Sequence, residues 1–156
     1  MIEKTIDELT RSIDGDAWHG PSLCDLLKRV SAKDAAARHL PDVHSIWELV
    51  HHITAWIDAV HERVRGHITE LDGDADWPPV ADTSSKAWKT AVTDLRRAHA
   101  ELIATLATLS DADLDKPVPN RDYQRSHLLL GLLQHNTYHS GQIALLARVA
   151  TRPRSH

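Results

Sequence analysis

The chain has 156 residues, a formal net charge of −4 and no basic stripe, which excludes nucleic acid as the default partner. No run approaches the roughly 20 apolar residues needed to cross a bilayer, and the polar start Met1-Ile2-Glu3-Lys4 lacks the apolar core of a signal peptide. The single cysteine, Cys24, excludes an internal disulfide framework, so the expectation is one domain over 1–156, soluble, cytoplasmic and without a membrane partner.

Ile2, Ile6, Leu9 and Ile13 predict an amphipathic first helix that ends by Gly15. Trp18-His19-Gly20-Pro21-Ser22 breaks the chain. Pro21 suits the first turn of a short helix to about Val30, and Ser31 can cap another short helix to Arg38. Ser45-Ile46-Trp47-Glu48 reads as a capping box. Ile46, Val50, Ile53, Ile57, Val60 and Val64 then trace the stripe of a second long helix. Residues 66–79 read as a long polar connection broken by Gly73 and Pro78-Pro79. A third long helix runs from about Ser84 to Leu109, with Trp88, Val92, Leu95, His99, Leu102, Leu106 and Leu109 on one face. A fourth spans roughly Tyr123 to Ala150, stopped by Thr151-Arg152-Pro153. No strand-like alternation stands out. The architecture predicted is all-α, a four-helix bundle with short N-terminal helices.

Twelve histidines are many for this length and favour metal or proton chemistry. His135 and His139 stand i, i+4 in a leucine-rich helix, one turn apart on the face that also carries Leu128, Leu132, Ile143 and Leu146. Imidazoles placed where leucines would pack need hydrogen-bond partners across the bundle or a metal ion. The spacing alone leaves both readings open. A third ligand is sought on the second helix, in His51-His52. Measured round the helix from Ile53, His52 lies about 100° off the centre of the stripe, at the edge of the core. His51 lies about 160° off and should face solvent. His52, His135 and His139 are therefore the candidate metal ligands.

The segment from Ser45 to Trp56, with Glu48, His52 and Ile53 at its heart, resembles the second-helix motif of the DinB (YfiT-like) family. Gly131-Leu132-Leu133-Gln134-His135-Asn136-Thr137-Tyr138-His139-Ser140-Gly141-Gln142-Ile143 resembles its fourth-helix motif, and Trp18-His19-Gly20-Pro21-Ser22-Leu23 a segment of one branch. The resemblance implies a bundle with a long crossover between the second and third helices, usually homodimeric. It also implies one divalent metal on His52, His135 and His139. For activity it implies a metal-dependent enzyme acting on a small molecule, in some relatives transfer of a low-molecular-weight thiol such as bacillithiol or mycothiol. The preferred reading is a metal-dependent thiol transferase or hydrolase, and the alternative is a metal-binding stress-response module without turnover.

Three neutral imidazoles leave a coordination position open, as catalytic sites do. A cation with neutral ligands keeps its full charge and favours deprotonation of a thiol or water near neutral pH. Nitrogen-only donors suit zinc, nickel or iron over magnesium or calcium. Candidates to hold the rings are Gln134, Asn136, Tyr138, Gln142 and Glu48. The remaining residues have plainer readings. His51 is a surface residue, His99 a core histidine or a proton shuttle, Trp56 a packing residue or a pocket wall, and His19 a turn residue. Cys24 reads as a small buried hydrophobe, and Asp72, Asp74 and Asp76 as a solvated loop.

Overall fold

Ile2, Leu9 and Ile13 share the buried face of α1 (Ile2–Asp14) in this computed structural model, which describes residues 1–150. A two-residue hairpin follows: β1 (Asp16–Ala17) pairs antiparallel with β2 (Gly20–Pro21), Asp16 opposite Pro21. Gly20 has φ 125°, a conformation side chains rarely adopt, which lets the chain reverse there. Pro21 was expected to open a helix. It instead ends the hairpin, and the next residue, Ser22, caps α2 (Leu23–Leu27) by accepting from the Asp25 amide. Strands of two residues leave no alternation to read. Ser31 caps α3 (Ala32–Ala36), as its position suggested. Both short helices stop a few residues before the expected ends.

The capping box forms as read. The Ser45 hydroxyl accepts from the Glu48 amide, and a Glu48 carboxylate oxygen accepts from the Ser45 amide at 2.7 Å. It starts α4 (Ile46–Val64), whose Ile46, Val50, Ile53, Ile57, Val60 and Val64 are all buried. Gly66, at φ 97°, closes α4: its amide donates to the Arg63 carbonyl and the His67 amide to the Glu62 carbonyl. That double bond pattern needs a left-handed residue just past the helix, so glycine sits there for a conformational reason.

The connection that follows carries a single helical turn, α5 (Gly73–Asp76), before α6 (Ser85–Leu106). After α6, the turn α7 (Asp111–Leu114) holds the α1 start, its Asp111 carboxylate accepting from the Ile2 amide at 2.7 Å. Single turns are too short to show periodicity. The last helix, α8 (Arg125–Ala150), begins after Tyr123 because residues 116–125 pair with themselves. The Val118 amide donates to the Tyr123 carbonyl and the Arg125 amide to the Lys116 carbonyl. The expected stop at Thr151-Arg152-Pro153 lies outside the described residues.

The four long helices α1, α4, α6 and α8 form the bundle, with α4 and α1 each packed on both α6 and α8. Side-chain contacts fix their directions. Trp47 and Trp88, near the starts of α4 and α6, have ring centroids 5.0 Å apart, and His61 and Thr105, near their ends, are bonded at 2.8 Å. Neighbours α4 and α6 therefore run parallel. The ion pair of Asp14 at the end of α1 with Arg96 in α6 and the tie of Ile2 to Asp111 make α1 antiparallel to α6. Parallel neighbours cannot be joined by a tight turn, so residues 65–84 must travel back along the bundle. They do so against α4: the Arg63 guanidinium donates to the Thr69 carbonyl and a His51 ring nitrogen meets the Pro78 carbonyl. No helix among the described residues is long and apolar enough to cross a membrane.

Candidate metal centre

α4 and α8 run antiparallel and bring His52 against His135 and His139. One ring nitrogen from each lies within 4.8 Å of the others, and among the described residues this is the one such cluster of three. His52 and His139 are buried and His135 is half-buried. The Nε2 atoms of His52 and His135 are 3.0 Å apart. Two nitrogens each about 2.1 Å from one ion stand roughly 3.0 to 3.4 Å apart for right-angle to tetrahedral geometry, so the spacing lies at the short end of shared coordination.

Each ring is oriented through its other nitrogen. His52 Nδ1 donates to the Asp76 carbonyl at 2.7 Å, with an Asp76 carboxylate oxygen at 3.2 Å. His139 Nδ1 donates to Gln142 Oε1 at 2.7 Å. His135 Nδ1 faces Asn136 Oδ1 at the longer distance of 3.5 Å. A donor on Nδ1 leaves the Nε2 lone pair free, the tautomer a metal requires. Burial, helped by the two neighbouring rings, pushes the His135 imidazole down to about 4, and burial also lowers His139. Both rings are thus neutral at neutral pH, each with one nitrogen lone pair to offer.

Tryptophans wall the cluster. Trp77 stacks on His52 with centroids 3.8 Å apart and planes 6° from parallel, and it stacks equally flat on the exposed His44. Trp56 lies edge-on to His52 and 5.4 Å from His135, its indole N–H donating to the Asp76 carboxylate at 2.7 Å.

The structure brings together the three histidines expected as ligands and corrects two neighbouring expectations. His51 does not point freely to solvent. It is half-buried, accepts from the Trp47 indole N–H at 3.0 Å and meets the Pro78 carbonyl, because the returning connection covers the face that α4 alone would expose. Asp76 is not a solvated loop residue. It is half-buried and touches both His52 and Trp56, whereas Asp72 and Asp74 are exposed. Of the five residues considered for holding the rings, Gln142 and Asn136 do so. Glu48 is occupied by the cap and pairs with Arg38, and Gln134 and Tyr138 are exposed. The role of Trp77 leaves little trace in the sequence: the Trp77-Pro78-Pro79 run is the one local hint that this stretch is held in place. His19 sits at the exposed hairpin tip, and Cys24 is buried and free.

Asp76→Ala keeps the carbonyl on His52 but removes the carboxylate shared with Trp56. Metal affinity is expected to fall roughly tenfold, the low end for partners behind the ligands. Competition against a chelator of known affinity checks this.

Three nitrogen donors that converge on one point can hold a metal ion. No curated protein and no solved structure matches the chain. The family model of the DinB superfamily matches residues 18–143, a span that includes α4, the returning connection and α8 as far as Ile143. A helical bundle of this topology, a histidine cluster where its second and fourth long helices meet and a match over most of the length place the chain in the DinB superfamily.

Proposed function

We propose that His52, His135 and His139 hold one divalent ion with a coordination position open, and that the protein is a metal-dependent enzyme acting on a small molecule. The transfer of a low-molecular-weight thiol of the bacillithiol or mycothiol type is the preferred reaction, with hydrolysis second. The observation that carries this reading is the all-nitrogen cluster with a cavity beside it, lined in part by His135 itself. When bound, the ion supplies Lewis-acid chemistry and favours the deprotonated form of a thiol or water. The chain supplies the rest. Asp76 and Gln142 fix ring tautomers, while Trp56 and Trp77 exclude water from one side and keep the electrostatics strong.

The test is a transfer and hydrolysis screen on protein purified without a histidine tag, with and without the ion. Ion-dependent turnover that is lost in His135→Ala supports the enzyme. A loaded protein inert to every thiol and ester offered would make it a metal-binding module without turnover.

A homodimer is part of the same proposal. Leu130, Tyr138 and Leu145 are 53%, 66% and 58% exposed and lie within about 80° of one another round α8, an apolar stripe that a second copy would cover. Light scattering is expected to give twice the 17.4 kDa chain mass, and one chain mass for the double variant Leu130→Glu, Leu145→Glu.

A further inference from the structure

A cavity of about 380 Å³ opens between the second half of α4, the first half of α8 and the connection after α4. His135 of the histidine cluster lines it, as does Trp56, which packs on His52 and His135, so whatever fills it meets the edge of the candidate metal centre. Leu128 and Leu132 give it an apolar floor. Its ionised lining is two guanidinium groups, Arg63 and Arg121, and one carboxylate, Glu70, which leaves one net positive charge.

Arg63 is the unusual member. It is only 4% exposed, yet no carboxylate of the described residues lies within 4.0 Å of it. Its Nε and Nη2 donate to one neutral acceptor, the Thr69 carbonyl, at 3.0 and 2.8 Å, and its Cζ lies 5.4 Å from the Trp56 ring centroid. A carbonyl and an aromatic ring offset a buried charge only in part, and buried guanidinium groups are ordinarily paired with an anion. Glu70 does not serve. It is largely exposed, its ion pair is with Arg121, and it acts on Arg63 only from a distance.

We propose that this cavity binds a small monocarboxylate with an apolar body. The carboxylate is held by Arg63 and Arg121, the body packs on Trp56 and Leu128, and the far end reaches His135. One net positive charge suits a single carboxylate, and a guanidinium pair suits its two oxygens. The inference rests on the histidine cluster being the reactive centre only for what the far end meets. The carboxylate pocket stands apart from the ion.

Phenylacetate and its neutral counterpart phenylacetamide test it by titration calorimetry, on metal-free and on zinc-loaded protein. Arg63 also anchors the connection, so the variants are placed at Arg121 and Glu70. The acid is expected to bind about tenfold more tightly than the amide in both forms. Arg121→Gln weakens the acid alone, and Glu70→Gln tightens it by removing a like charge. Equal binding of acid and amide, binding of neither, or variants without effect overturns the proposal. So does an acid preference seen only with zinc and insensitive to Arg121→Gln, because the carboxylate would then sit on the ion. If zinc fails to bind while the acid preference and both variant effects persist, the metal reading falls and the carboxylate pocket remains.

Discussion

Replacing His52, His135 or His139 by alanine is expected to reduce bound metal from one ion per chain to almost none, while His51→Ala keeps it. Each of the three rings supplies one of only three donors, and no fourth His, Cys, Asp or Glu of the described residues completes the cluster. Changes behind the ligands already cost 10–100-fold in affinity, so loss of a ligand should weaken binding by more than about 100-fold. His51 makes a sharp control. It adjoins His52 in the chain and contacts the same returning connection, yet its ring nitrogens are engaged by Trp47 and Pro78. Elemental analysis of the four purified variants, with chelator competition for the residual affinity, checks this. Equal loss in His51→Ala would show that the connection, and not the triad, governs retention.

Metal-free protein is expected to lose stability steeply below neutral pH, with His99 as one main cause. His99 is 7% exposed on the α6 face toward α1, and its Nε2 has no partner among the described residues. Burial pushes its imidazole down from 6.5 to about 4. Between those values the unfolded chain binds a proton that the folded chain refuses. Stability contributed by the neutral ring is therefore whole above about pH 6.5 and falls as the pH drops toward 4. The loss is on the order of 3 kcal/mol, or roughly 6–12 °C in melting temperature for a chain of this size. His99→Leu removes both the titration and the unpartnered nitrogen. It should be at least as stable at neutral pH and lose about 3 kcal/mol less on acidification. Denaturant unfolding of both proteins at neutral pH and about pH 4, with chelator present, decides it. Parallel pH slopes would mean that His99 gains a partner or solvent when protonated.

The elements with long periodic stripes were legible in the chain. The α4 stripe, its capping box and the spacing of His135 and His139 all depend on local geometry, and the wheel placed His52 at the core edge from the same information. The parts that were hidden depend on contacts distant in sequence. Asp76 stands 24 residues from His52 and 20 from Trp56, and an acidic run in a polar connection looks the same whether it is solvated or docked. His51 was misplaced for the same reason, since a helical wheel does not know what lies over the helix. Arg63 sits between Val60 and Val64 on an ordinary helix, and only the fold reveals that no carboxylate of the described residues forms an ion pair with it. The resemblance to the DinB family supplied the crossover, which periodicity could not. Parallel α4 and α6 then explain why that segment must lie along α4.

The 83 residues that separate His52 from His135 also set a timetable. A growing chain offers a cation one imidazole of the three until α8 has left the ribosome, and a lone imidazole holds such an ion poorly. On the proposed triad, an ion is therefore acquired only once residues 135–139 have emerged, and a chain cut short before residue 135 is expected to stay unmetallated.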